Sequence, residues 1–202
     1  MKLYFSPGAC SMSPHIALRE AGLGFDMVRV DLGTKQTADG ADFKAINPKG
    51  YVPVLALDDG SVLTEGPAIV QYIADQAPAS KLAPAAGTLP RYRLMEWLNY
   101  ITSELHKGFS PLFNPKASDE VKAFARDALM QRFDYLSTQL QGKSYLMGET
   151  FTVADGYLFT VLSWTKPTQI ALSKWPVLSA YSERIAARPA VREAMRAEGL
   201  IK

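Results

Sequence analysis

The chain has a single cysteine, Cys10, and two histidines, His15 and His106. One cysteine excludes an internal disulfide, and two histidines are too few for a protein-built metal cage, so no metal is expected. No stretch approaches the ~20 apolar residues that a bilayer-spanning helix needs, which argues against a membrane partner. Charge of one sign is not in excess. Lys and Arg total 22 against 20 Asp and Glu, and the net charge of +2 is spread along the chain. It leaves no basic footprint for nucleic acid. The opening Met1-Lys2-Leu3-Tyr4-Phe5-Ser6-Pro7 has one positive charge but no apolar run, so no signal peptide is read and a cytoplasmic location is expected. What is present is a composition 48% hydrophobic and 10% aromatic, which excludes disorder. A chain of 202 residues buries roughly 70% of its surface on folding, enough for a real core.

Residues 1–77 mix strand and helix signals. Lys2-Leu3-Tyr4-Phe5 is β-prone and is stopped by Ser6-Pro7-Gly8. Ser13-Pro14 reads as a helix start, with Ser as cap and Pro at the first helical position, and the helix ends near Gly22. Met27-Val28-Arg29-Val30 is a second strand. Val54-Leu55-Ala56-Leu57 and Ser61-Val62-Leu63 flank Asp58-Asp59-Gly60, a strong hairpin signal. Helical spacing resumes at Ala68, Ile69, Tyr72 and Ile73. The order is βαβ, a loop-rich connection, then ββα. The Pro-, Ala- and Gly-rich stretch from Ala77 to Gly87 is a linker, and after it the pattern is helical throughout. Leu94, Trp97, Leu98, Ile101 and Leu105 make one apolar stripe. Further helices are predicted over about 118–141, 152–170, 177–187 and 190–198, with Thr152-Val153-Ala154-Asp155 as a capping box. The fold class is α/β for the N-terminal domain (1–80) and all-α for the C-terminal domain (88–202), joined by a linker at 81–87.

Chemistry has few places to sit. Cys10 falls between the first strand and first helix, where backbone N–H groups and the helix dipole favour thiolate. The alternative is a buried small hydrophobe. Ser11 beside it is either a cap or a second hydroxyl at the site. Asn99, Ser103 and His106 fall within roughly 60° of one another on an α-helix, away from the apolar stripe; a solvated face would look the same. His15 in the first turn suggests a surface or packing role, and Trp97, Trp164 and Trp175 suggest core. Val52-Pro53 precedes the hairpin as either an edge trans proline or a cis bond that turns the Val52 backbone toward a peptide-like ligand. Glu65-Gly66-Pro67 opens a helix that could take a ligand carboxylate, with Glu65 pairing a ligand ammonium; otherwise Glu65 is simply a favourable first-turn charge.

Together these pieces resemble the cytosolic glutathione S-transferases, specifically the bacterial beta class. The resemblance is carried by Ser6-Pro7-Gly8-Ala9-Cys10-Ser11, Asn47-Pro48-Lys49-Gly50-Tyr51-Val52-Pro53, Leu63-Thr64-Glu65-Gly66-Pro67-Ala68-Ile69, Glu104-Leu105-His106-Lys107 and Phe151-Thr152-Val153-Ala154-Asp155. They span nearly the whole chain in family order. The resemblance implies a thioredoxin-like N-terminal domain, an all-helical C-terminal domain and a homodimer. It implies a cis Val52–Pro53 bond, with the Val52 backbone pairing with the cysteinyl unit of glutathione. By the same likeness Glu65 and Gly66 hold the γ-glutamyl end and Lys35 reaches the glycyl carboxylate. Asn99, Ser103, Glu104 and His106 close the site from the helical domain or across the dimer, and Cys10 and His106 face each other over the glutathione sulfur. One departure is Gly66, where many relatives outside this class have Ser. Cys10 replaces their activating Tyr or Ser, with Tyr4 and Ser11 as understudies.

The implied activity has two branches. In conjugation, a glutathione thiolate stabilised in part by His106 and Lys107 attacks an electrophilic carbon. In the redox branch, of thiol–disulfide or dehalogenation type, Cys10 forms a mixed disulfide with glutathione that an external thiol resolves. Phe109, Phe113, Trp164 and Thr168 are candidate linings of the electrophile pocket, though no motif specifies them. The competing readings are a non-catalytic ligand carrier or complex partner, and a dedicated glutathione-dependent disulfide reductase.

Overall fold

Alternation in Lys2-Leu3-Tyr4-Phe5 turns Leu3 and Phe5 into the core, and this short strand becomes the centre of a sheet. The computed structural model describes residues 1–202. One compact unit comprises Met1–Ala83 with Ala187–Lys202, and a second comprises Pro84–Ala186. In the first, β1 (Lys2–Phe5), β2 (Asp26–Asp31), β3 (Gln36–Thr37), β4 (Val54–Ala56) and β5 (Val62–Thr64) lie in the order β3-β2-β1-β4-β5. β1 runs parallel to β2, with Leu3 opposite Met27, and antiparallel to β4, with Leu3 opposite Leu55. A parallel pair needs a crossover, and α1 (Met12–Glu20) supplies it.

The predicted hairpin forms between β4 and β5. Leu57 N–H donates to Ser61 O at 2.8 Å, and Gly60 takes the positive φ (86°) of the turn. α1 stops as expected at Gly22, where Gly22 N–H bonds Arg19 O and Leu23 N–H bonds Leu18 O, a Schellman motif. Its start differs. The helix begins at Met12, so Ser13 lies inside it, buried, and Pro14 occupies the first turn, where no N–H is needed. Two short elements within the loop-rich connection were not predicted: β3 and α2 (Phe43–Ile46). Fully buried Phe43 packs with Val30, Val52 and Val54, so tertiary burial organises this segment. α3 (Gly66–Gln76) and α9 (Pro189–Ala197) both pack on α1. Residues 187–202, grouped by sequence pattern with the helical domain, are therefore part of the first compact unit.

The second unit contains α4 (Leu89–Tyr100), a π-helical segment Ile101–His106, a 3₁₀ turn Lys107–Phe109, α5 (Ser110–Phe113), α6 (Asp119–Leu140), α7 (Val153–Ser163) and α8 (Pro176–Ala186). Of the predicted stripe, Leu94, Leu98, Ile101 and Leu105 are buried, whereas Trp97, expected in the core, is only half-buried, its ring against Tyr100 and Tyr135. α7 is buried on every side from Val153 to Leu162. Its Asp155 carboxylate accepts from Thr152 N–H at 2.8 Å and Thr152 Oγ1 at 2.9 Å, so the Asp half of the expected capping box is made. The spacing predicts a helix over 152–170, yet α7 stops at Ser163. The Thr165 and Thr168 hydroxyls bond back to Leu162 O and Trp164 O, both at 2.7 Å, and Pro167 offers no N–H. No helix is long and apolar enough to cross a membrane.

Candidate active site

Cys10 sits two residues before α1, in a loop fixed from several directions. The Cys10 thiol donates to Val52 O at 3.2 Å. Ser11 is fully buried, and its hydroxyl accepts from Ser6 N–H at 3.1 Å and lies 3.2 Å from Ser6 O. It is therefore a brace for the loop, and neither of the roles expected for it, helix cap or site hydroxyl, fits this geometry. Gly8 N–H donates to Glu198 Oε2 at 2.8 Å, and Glu198 Oε1 lies 2.8 Å from His15 Nδ1. Arg19 Nε donates to His15 Nε2 at 2.9 Å. A guanidinium nitrogen can only donate, so Nε2 accepts and the His15 proton sits on Nδ1, directed at Glu198. His15 is thus a buried packing residue, one of the two roles expected of it. Tyr4 is half-buried against Phe43, with ring centroids 5.8 Å apart.

The Val52–Pro53 bond is cis, and Val52 and Pro53 are buried in front of β4. Glu65 precedes α3 at φ 67° and ψ 114°, a region that non-glycine residues seldom enter. Such outliers persist where the surroundings over-determine them, and they gather at functional sites. Its carboxylate is paired with Lys49 Nζ at 2.5 Å, and the same ammonium donates to Thr64 Oγ1 at 2.9 Å. A Cβ at Gly66 would meet only Pro53 Cγ at 3.9 Å, so the backbone does not require glycine there. Lys35, also left-handed (φ 62°), donates to Gly50 O at 3.0 Å and lies over the Tyr51 ring.

In the helical unit the assumed α-geometry fails. Lys107 N–H bonds Thr102 O, five residues back, and the run from Ile101 to His106 is a π-helix, a form that recurs at functional sites. Thr102 Oγ1 donates to Leu98 O at 2.8 Å and Ser103 Oγ to Asn99 O at 3.1 Å, drawing on the carbonyls of the preceding turn. Asn99 and Ser103 are exposed, whereas His106 is half-buried, its Nδ1 2.6 Å from Tyr157 Oη. The Glu104 carboxylate is held by Arg132 of α6 at 3.0 Å and 3.2 Å. Trp164 stands edge-on to His106, centroids 4.9 Å apart. Phe109 and Phe113 each stand edge-on to Trp164, at 5.7 and 5.8 Å. Phe109 is fully buried and Phe113 is exposed, so of the two only Phe113 is open to a ligand. Thr168 is buried with its hydroxyl bonded to Trp164 O.

Two family models match this chain: the glutathione S-transferase N-terminal domain over residues 8–76 and the glutathione S-transferase C-terminal domain over residues 100–189. The chain belongs to the glutathione S-transferases. Glutathione S-transferase GstA of Escherichia coli O157:H7 is 47% identical over 99% of this chain and 100% of its own length. The bacterial beta class glutathione S-transferase of Sphingomonas chungbukensis is 52% identical, with TM-score 0.97 over 100% of both chains. A sphingomonad glutathione S-transferase, solved in complex with glutathione, is 51% identical with TM-score 0.96, again over 100% of both chains. The thioredoxin-like and helical halves expected from the sequence are those of this transferase fold. Three residues that touch the candidate residues or their loops had no role in the sequence reading: Glu198, Lys49 and Tyr157. Glu198 and Tyr157 lie 190 and 51 residues from the groups they touch, and no local pattern announces such pairs.

Proposed function

We propose that this glutathione transferase conjugates glutathione to small electrophiles and also performs cysteine-based thiol–disulfide exchange. The observation that carries this reading is the hydrogen bond from the Cys10 thiol to Val52 O. A tripeptide pairing with the Val52 backbone would bring its own sulfur beside Cys10. A carbonyl oxygen accepts from S–H and repels a thiolate, so Cys10 rests as a thiol, compatible with a neighbouring glutathione thiolate. Glu65 and Gly66 at the start of α3 take the γ-glutamyl end, and Lys35 takes the glycyl carboxylate. His106 is the proposed second catalytic residue, a hydrogen-bond donor to the glutathione sulfur, with Lys107 adding positive field. Asn99, Ser103 and Glu104 complete the glutathione set in a proposed homodimer. Of the four expected pocket residues, Phe113 is the one exposed to meet the electrophile, with Phe109, Trp164 and Thr168 packed behind it.

In exchange, Cys10 passes its proton to the departing thiol as it attacks the glutathionyl sulfur of a mixed disulfide. The Cys10–glutathione disulfide forms, and the substrate leaves as a free thiol. A second glutathione then attacks that disulfide, regenerating the Cys10 thiol and leaving as oxidised glutathione. The resolving thiol must come from outside, since the chain holds no second cysteine. Reductive dehalogenation would use the same mixed disulfide, with two glutathiones as reductant and halide as leaving group.

Cys10→Ala tests the assignment against chlorodinitrobenzene and hydroxyethyl disulfide. Exchange should vanish while some conjugation persists. Conjugation lost with exchange intact would overturn the proposal. Retention on immobilised glutathione without turnover of either substrate by the native protein would mark a carrier instead.

A further inference from the structure

We infer that Tyr157 is a positioning residue that sets the tautomer of His106. This rests on the reading above, in which His106 acts on the glutathione sulfur. Tyr157 lies in α7, 3% exposed, and its hydroxyl is 2.6 Å from His106 Nδ1. A single hydrogen occupies that contact. Thr102 Oγ1 lies 3.4 Å from the same hydroxyl, but its own hydrogen is directed at the nearer Leu98 O, 2.8 Å away. An imidazole nitrogen is a far better acceptor than a phenol oxygen, and a phenol is a good donor, so the favoured arrangement is Tyr157 O–H to Nδ1.

The consequence is at the other end of the ring. With Nδ1 accepting, a neutral imidazole must carry its proton on Nε2. His106 then presents a hydrogen-bond donor and not a base. A donor is what a glutathione thiolate needs, because the hydrogen bond stabilises the anion without taking its nucleophilic electron pair. Ring orientation is fixed by the same neighbours. Trp164 stands edge-on at 4.9 Å and Tyr157 edge-on at 6.0 Å, with interplanar angles of 71° and 83°. The π-helical segment ending at His106 gives the ring its place beside α7. Tyr157 need not touch substrate to act: it decides which face of the imidazole chemistry is offered.

The full-length chain labelled with ¹⁵N-histidine tests this directly. Only two histidines exist, so His106→Asn identifies both sets of ring signals. In the native protein His106 should show a protonated Nε2 and a bare Nδ1. Tyr157→Phe, which removes only the buried hydroxyl, should shift it toward a tautomer mixture. The same variant should lose about tenfold in kcat/KM for conjugation, the worth of one hydrogen bond, and a melting curve confirms that it folds. In a His106→Asn background, Tyr157→Phe should have no further kinetic effect. A native His106 protonated on Nδ1, or a tautomer that Tyr157→Phe leaves unmoved, overturns the inference while the His106 reading stands. Full activity in His106→Asn overturns that reading, and with it the positioning role.

Discussion

Glu198 accepts a hydrogen bond from Gly8 N–H at 2.8 Å, fastening the end of the chain to the loop that presents Cys10. Both side chains of the His15–Glu198 pair are fully buried, so removing the carboxylate leaves the Gly8 N–H and the His15 Nδ1–H without their acceptor. Glu198→Ala should therefore cost about 3 kcal/mol, which is roughly 6–12 °C in Tm at this chain length. Glu198→Gln, keeping one acceptor oxygen, should lose less. A scanning-calorimetry Tm unchanged in Glu198→Ala would show that the anchor carries no weight.

Lys49 occupies the Glu65 carboxylate that the proposed site needs for a ligand ammonium. The pair is half-exposed to well-exposed, 46% and 69%, and pairs of this kind contribute little to stability. Lys49→Met should leave the Tm within about 1 °C and, by freeing Glu65, tighten glutathione binding a few-fold. Glu65→Gln should weaken it about tenfold or more, a charge-assisted bond being lost. Isothermal titration at two salt concentrations reads both. Weaker binding in Lys49→Met would mean that this lysine helps hold the ligand and does not compete with it.

Asp155 takes four hydrogen bonds, from Leu146 N–H, Thr152 N–H, Thr152 Oγ1 and Tyr181 Oη. Burial pushes its carboxyl upward against those bonds. Asp155→Asn turns one acceptor into an NH₂ that faces donors, so two or more buried N–H or O–H groups lose a partner. A loss of about 2–4 kcal/mol is expected, measured by urea unfolding, with α7 helicity reduced. A variant as stable as the native chain would argue that the cap is dispensable.

Tyr100 is pushed up to about 12, first by burial and then by the neighbouring Tyr135. A folded pKa above the unfolded one means that the folded state holds its proton longer. The stabilising contribution is complete below pH 10, the ordinary value, and is lost as pH rises toward 12. The stability difference between the native chain and Tyr100→Phe should accordingly move against the native chain across that window, in urea melts at fixed pH. A difference independent of pH would place Tyr100 in an ordinary solvated setting.

Much of the fold is legible because it is local. Asp59-Gly60 closes the β4–β5 hairpin, Gly22 ends α1, and Thr152 with Asp155 starts α7; each signal lies within four residues of its effect. The candidate site was legible only in its motifs. Cys10, Val52-Pro53 and Glu65 stand out in the sequence, but Ser11 turns inward to Ser6, and the π-helical turn at Ile101–His106 breaks the α-spacing on which the polar face was drawn.

By itself the sequence determined the two-part pattern, the βαβ and ββα runs of the first domain and the impossibility of an internal disulfide, since these depend on periodicity, turn chemistry and the presence of one cysteine. Tertiary structure alone decided that residues 187–202 fold back on the first unit, that Glu198 reaches Gly8, and that His106 meets Tyr157. Those contacts join positions far apart along the chain, where pairing is chosen by which buried polar group finds a partner when the layers close.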